Sequence, residues 1–351
     1  MKFRPFLIAL VTIFALTACS TRDDDGTTDG IDNCLNFGES QLKITIQESF
    51  TTLPSKVSVF FKVNDTDGNA VPRLLGSNFR VFEKGRNDDC FNEISSAESS
   101  ADISSNAQIF TNTTFLVLDL SNSVLSSSLA ELKQASVSFI NNVMPVVPSD
   151  ATKMGIYWFD GQDELHLLQP ITNSITDLVD AVNGITNDIS TDPSTDLYGA
   201  VIKAAEVANA TIDSFEAQEI FAAASVVIFT DGTDQAARYT KSQAVSSVRN
   251  ANDNVSFFTI GLGSEIDGET LADIGITGSV VASNTAELEQ VFNQVSDNVA
   301  GQANSFYFFE YCSPKRDGSG RNELVIQAFD GDRQGAVETA FDATGFTGGC
   351  Q

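Results

Sequence analysis

Two acidic residues close apolar runs near the middle of this chain. Asp119 ends Thr114–Leu118 and opens Asp119-Leu120-Ser121-Asn122-Ser123, and Asp231 follows Ile228-Phe229-Thr230 and precedes Gly232. Between them, Thr195 stands alone in Ser194–Val201 (STDLYGAV). Carboxylates and hydroxyls are hard oxygen donors, the type that a small divalent cation prefers, and two serines spaced two apart on a turn can aim at one point. The same residues also have plainer uses. Asp119 and Ser121 are good N-caps for a helix starting near Val124, Thr195 for one at Leu197, and Asp231-Gly232 makes an ordinary turn. Caps and turns account for each residue separately but do not require the set.

For these residues to meet, the strands that carry them must lie side by side. Thr114–Leu120 (TFLVLDL) is a near-continuous apolar run, as expected of a parallel strand covered on both faces. GIYWF, VVIFT and VSFFTIGL repeat the signal. Helical patterns separate them: Val124–Met144, Ile175–Gly184, Leu197–Ala210, Gln243–Ala251 and Ala286–Ala300. In the last, Leu288, Val291, Phe292, Val295 and Val299 recur at steps of three and four, which marks one core-facing stripe. The alternation predicts an α/β fold with a doubly wound, mostly parallel sheet, whose ligand sites sit at the carboxyl ends of its strands.

The Asp-x-Ser-x-Ser after an apolar strand, the isolated Thr195 and Phe229-Thr230-Asp231-Gly232 resemble the three loops of the metal-ion-dependent adhesion site of von Willebrand factor type A domains. The resemblance covers residues 111–302 and takes in Met154–Gly161 and the closing helix after Ala286. It implies that Ser121, Ser123 and Thr195 offer neutral oxygens to Mg2+ (or Mn2+), with Asp119 and Asp231 acting directly or through bound water. A ring so poor in carboxylates leaves the cation enough positive character to accept an Asp or Glu carboxylate from a protein partner. The implied function is a non-enzymatic, metal-dependent adhesion module. In that family the closing helix can shift along its axis on metal engagement, and here it runs straight into the C-terminal segment.

Two other functions stay open: an envelope hydrolase or metalloenzyme, and a structural assembly component of the outer membrane. Against the enzyme, the chain has no HExxH, no GxSxG with a plausible base, and a single histidine, His166. Alternation in Asp163–Pro170 places His166 on a strand facing solvent. Asn64, Asp65, Asp67, Gly68 and Asn69 match part of a calcium loop, but the glycine is misplaced and no glutamate closes it, so a hairpin turn is expected.

At the N-terminus, Lys2 and Arg4 precede the apolar stretch Phe6–Ala18, which reads as an export signal. Leu16-Thr17-Ala18-Cys19 resembles the lipobox of bacterial lipoproteins. That implies cleavage before Cys19, lipidation of Cys19 and, with Ser20 next, anchoring in the bacterial outer membrane on either face. Of five cysteines, four then remain for an oxidising compartment, and Cys34–Cys90 with Cys312–Cys350 is the favoured pairing because each brackets a compact segment outside the central domain. With 47 acidic against 20 basic residues and a formal charge of −27, the chain repels phosphate backbones, so no nucleic-acid partner is expected.

The expected organisation is a signal peptide at 1–18, a flexible tether at 19–38, a β module at 39–110, the α/β domain at 111–302 and a β segment at 303–351. Each terminal β segment is too small for a good core of its own, so the two are predicted to form one β-sandwich-like base with the α/β domain inserted between them.

Overall fold

The computed structural model describes residues 34–95, 102–104, 110–314 and 320–347. The leader, Cys19, most of the tether and Cys350 lie outside the described residues.

Five strands come first: β1 (Leu42–Thr52), β2 (Lys56–Asp65), β3 (Phe79–Lys84), β4 (Asn92–Glu93) and β5 (Asp102–Ser104). Next comes the α/β unit: β6 (Phe110–Asp119), α1 (Asn122–Ser127), α2 (Leu129–Val143), β7 (Thr152–Phe159), β8 (His166–Thr172), α3 (Ile175–Asn183), α4 (Leu197–Glu216), β9 (Phe221–Thr230), α5 (Lys241–Arg249), β10 (Val255–Leu262), α6 (Gly268–Ile274), β11 (Gly278–Ala282) and α7 (Leu288–Ala303). The chain ends in β12 (Phe306–Cys312), β13 (Arg321–Asp330) and β14 (Arg333–Asp342).

The central sheet runs β11-β10-β9-β6-β7-β8, parallel throughout except where β7 meets β8. Every residue of β6 is buried, because helices cover both faces of the sheet. Leu116 and Leu118 face a core shared with α2, α3 and α7, while Phe115 and Val117 face one shared with α4, α5 and α6. The stripe Leu288, Val291, Phe292, Val295 and Val299 seats α7 on the first of these cores. Each such side chain contributes about 2 kcal/mol by leaving water. From β6 the chain passes to β7 on one side and later builds β9 on the other, so the strand order reverses between β6 and β9. Open α/β sheets bind ligands at that reversal.

Some elements depart from expectation. The helix predicted over Val124–Met144 is two helices, α1 and α2, meeting at Ser128, whose hydroxyl turns back to the Val124 carbonyl at 3.3 Å. α4 continues to Glu216, and β11 and α6 join the sheet layers without having been anticipated. His166 begins β8, yet its ring does not face solvent. It stacks on Trp158 with centroids 4.0 Å apart.

The terminal segments form two antiparallel sheets, β1-β2-β12-β5 and β14-β13-β3-β4. β12 pairs with β2 and β13 with β3, so each sheet contains strands from both ends of the chain. Between the sheets lies one core that includes Val59, Phe61, Val81, Tyr307, Tyr311, Leu324 and Ile326. Asp65 closes β2 with an acidic turn in which its Oδ1 accepts the N–H groups of Asp67 and Asn69 at 3.0 and 2.8 Å. Turn formation thus accounts for that motif. Cys34 and Cys90 are joined in a disulfide with Cα atoms 5.6 Å apart. Cys312 ends β12, and its expected partner Cys350 lies outside the described residues.

Base and α/β unit meet through phenylalanines. Phe60 of β2 packs on Phe221, Phe110 and Phe306 with centroids at 4.5, 5.4 and 5.6 Å. Phe110 and Phe306 open β6 and β12, so both chain crossings pass through this cluster. Only Asn304 and Ser305 separate α7 from β12, and their carbonyls accept the N–H groups of Arg73 and Val63 at 3.2 and 3.0 Å.

Candidate metal centre

The C-terminal ends of β6 and β9 bring four of the five predicted residues together, Asp119, Ser121, Ser123 and Asp231. Asp119 is fully buried at the end of β6. Its Oδ1 accepts the Ser121 N–H at 2.9 Å, and its Oδ2 accepts the Thr230 hydroxyl at 2.6 Å. The Ser121 and Ser123 hydroxyls lie 3.2 Å apart, and the Ser123 hydroxyl donates to Asp231 Oδ1 at 2.8 Å. A continuous chain of polar contacts therefore runs Thr230, Asp119, Ser121, Ser123, Asp231, with two hydroxyls between two carboxylates.

Local sequence explains how the turn is held open. Ser121 occupies the N-cap position of α1, but its side chain makes no capping bond. That hydroxyl is turned toward Ser123 instead, so helix capping does not account for it. Thr195 is buried in the loop before α4, and the cap of α4 is the neighbouring Asp196, which accepts the Gly199 N–H at 3.3 Å. Thr195 is placed by its backbone. Its carbonyl accepts the N–H groups of Gln235 and Ala236 at 2.8 and 3.1 Å, and the Asn122 N–H donates to the Pro193 carbonyl at 3.2 Å. The three loops are thus stitched to one another, and no hydrogen bond engages the Thr195 side chain among the described residues.

Electrostatics follow from this burial. Loss of solvent pushes the Asp119 carboxyl up to about 6, and the Asp231 charge adds to the rise against the pull of Thr230 and Ser121. Asp231 is raised as well, first by burial and then by Glu265, while Ser123 opposes the shift. A buried carboxylate beside a second, part-buried one is costly, and a cation held by both offsets that cost. Among the described residues no three His, Cys, Asp or Glu side chains gather into a metal cluster. Any cation here would therefore rest on two carboxylates and neutral hydroxyls, a donor set that suits a small hard ion retaining some of its water.

Thr230 was not among the expected site residues, although it holds Asp119 across the strand boundary. The available signal was a single polar residue at the end of the otherwise apolar Val226–Phe229. Arg238 was also missed. It donates to the Gly161 carbonyl and lies 3.4 Å from Asp196, drawing the loop after β9 toward the start of α4. His166 is elsewhere, beside Asp160 and Glu164 at 3.9 and 3.8 Å.

A family model for the von Willebrand factor type A domain matches residues 115–297, just over half the chain. Among solved structures, a von Willebrand factor type A protein from Catenulispora acidiphila aligns with a TM-score of 0.46 and 11% identity over 88% of this chain and 75% of that one. Proximal thread matrix protein 1 from the mussel byssus, solved with a zinc-occupied metal-ion-dependent adhesion motif, gives 0.44 and 15% over 54% of this chain and 48% of its own. This chain thus spans about half the length of the mussel protein. The von Willebrand factor domain of the type V pili tip protein Mfa5 from Porphyromonas gingivalis gives 0.40 and 12% over 55% and 96%. No curated protein matches the sequence.

Proposed function

The chain belongs to the von Willebrand factor type A domain family, and on that premise we propose that it is a divalent-metal-dependent protein-binding module. Domains of this family are commonly interaction or adhesion modules rather than enzymes. Asp119, Ser121, Ser123, Thr195 and Asp231 would hold Mg2+ or Mn2+, and the partner would present an Asp or Glu carboxylate.

The observation that carries this reading is the contact chain from Asp119 through Ser121 and Ser123 to Asp231. Asp119 fixes the turn through the Ser121 N–H, which sets both serine oxygens at the rim. Thr230 fixes the remaining Asp119 oxygen, so the carboxylate cannot rotate away. Asp231 holds Ser123 from the neighbouring strand. When bound, the cation supplies a Lewis-acidic position that an incoming carboxylate can complete. Backbone bonds tie the three loops together, from Asn122 to Pro193 and from Gln235 and Ala236 to Thr195.

In the same proposal Cys19 carries the lipid anchor that displays the module on the bacterial outer membrane. Among the described residues no helix is long and apolar enough to cross a membrane. The deciding experiment is capture of envelope or extracellular proteins by the purified chain with Mg2+, with EDTA, and with Asp119→Ala. A partner retained equally under all three conditions would remove metal-dependent capture.

A further inference from the structure

At the opposite end of the central sheet, where the α/β unit rests on the base, lies a cavity of about 580 Å³. It lies below β9, whose far end carries Asp231, and takes no part in the site above. Its volume falls in the range typical of small-molecule pockets, about 300–1,000 Å³.

The floor is aromatic. Phe60 and Phe221 stack at 4.5 Å with ring planes 16° apart, and Phe50 lies beside them. The rim is anionic. Glu48, Glu216 and Glu219 all line the cavity, and the described lining contains no Lys, Arg or His. The closest base on that face of β2 is Lys62, whose ammonium sits 5.1 Å above the Phe306 ring and is not part of the lining. Asn254 also lines the cavity, and its Oδ1 is buried with no hydrogen-bond partner.

The placement of Glu48 is specific. In β1, Ile44 and Ile46 point into the sandwich core, so strict alternation would send the side chain at position 48 into the core as well. A register shift between Ile46 and Glu48 intervenes, and Glu48 is paired with Phe60 rather than with a core residue. The bulge therefore turns a carboxylate out of the base and onto the aromatic floor. On the other wall, α4 ends in a turn that sets Glu216 and Glu219 at the same rim, with the Glu219 N–H bonded to the Glu216 carbonyl at 2.9 Å.

We propose that this cavity binds a small organic cation, an ammonium or guanidinium group carried on an aromatic or aliphatic body. The body packs against the part-buried rings of Phe221 and Phe50, with the fully covered Phe60 ring beneath them, and the ring faces also attract positive charge. The charged head meets Glu48, Glu216 and Glu219. An uncharged ligand of the same shape keeps the stacking and forfeits the rest.

The test is titration of the full chain with phenethylammonium and with uncharged phenethyl alcohol, followed by amide chemical shifts and calorimetry. The amine is expected to saturate at millimolar concentration or below, with the alcohol about tenfold weaker. In a Glu48→Gln/Glu216→Gln variant the amine is expected to lose about tenfold while the alcohol is unchanged. Both substitutions are at the cavity rim, and an unchanged melting temperature and Mg2+ affinity would verify that the variant is folded. Equal affinity for amine and alcohol, amine binding indifferent to the double substitution, or no saturation by the amine would each overturn the proposal.

Discussion

The Thr230 hydroxyl donates to Asp119 Oδ2 at 2.6 Å, joining the last residue of β9 to the last residue of β6. Since the strand order reverses between these two parallel neighbours, the bond pins the sheet at the point where its two halves separate. Asp119 is consequently held by one residue of its own turn and by one residue 111 positions away.

Thr230→Val keeps the shape of the side chain and removes the donor, leaving Asp119 Oδ2 unpaired in a buried setting. Mg2+ affinity is expected to fall by about tenfold, since groups that orient a ligand are worth about 10–100-fold. Calorimetric titration of the variant measures it, and affinity equal to the parent would show that Thr230 orients nothing.

Removal of Asp119 itself has opposite consequences with and without metal. Asp119→Asn is expected to lower Mg2+ affinity by at least about tenfold, or about 1.4 kcal/mol. Without metal the same substitution is expected to raise the melting temperature at neutral pH, because it deletes a buried negative charge close to Asp231. A fall in the metal-free melting temperature would contradict the buried-charge account.

The pH dependence follows from the Asp119 carboxyl, raised to about 6 in the folded chain. An unfolded aspartate titrates near about 3.9, so between these values the folded state holds the extra proton. Stability attributable to this group is therefore greatest below about pH 4, declines as pH rises, and reaches its full loss above about pH 6. Bound Mg2+ offsets that loss. The increase in melting temperature caused by Mg2+ is thus expected to be larger at about pH 7.5 than at about pH 5, and the difference should shrink in Asp119→Asn, where only the raised Asp231 remains. An equal increase at both pH values in the parent chain would sink this assignment.

For the disulfide between Cys34 and Cys90, the sequence separation is 56 residues. Closing a loop of that size is worth about 2–4 kcal/mol. The bond also brings Leu35 and Phe37 against the small core of Phe82, Phe91, Val325 and Ala336. Reduction or Cys34→Ser is expected to destabilise the base while leaving Mg2+ binding intact. Non-reducing peptide mapping checks this pair and the expected Cys312–Cys350 pair together.

Anchoring is tested at Cys19. Cys19→Ser is expected to abolish acyl labelling and to release the chain from membranes. Continued sedimentation of the unlabelled variant with membranes at high salt would point to a different attachment.

Much of the central sheet was legible because its strands are buried on both faces and read as apolar runs: Thr114–Leu120, Val226–Thr230 and Val255–Leu262. The edges were less so. β8 was legible only as an alternating strand around His166, and β11 is half exposed, so its composition is mixed and no run forms. α6 has only seven residues, too few for a helical period, although Asp267 announces it by accepting the Glu269 and Thr270 N–H groups, both at 3.1 Å. The break at Ser128 sits in a run of serines whose hydroxyls compete for helical carbonyls. The placement of Asp119, Ser121, Ser123 and Asp231 followed from motif order, because strand ends in such a sheet converge. Thr230 was hidden because its role depends on which strand lies beside β6, and that pairing is fixed by the whole sheet. His166 shows the same limit, since alternation gives a face but not the Trp158 ring that covers it.

β6 runs the full height of the α/β unit, from Phe110 in the aromatic junction to Asp119 in the upper loops, with β7 and β9 hydrogen-bonded along its two sides. A pull applied between a partner held at the top and the base below acts lengthwise along this strand. Both flanking ladders are then loaded in shear, so their hydrogen bonds share the force at once and cannot open one after another from an end. The strand that carries the first acidic residue is in this way the tension member of the molecule.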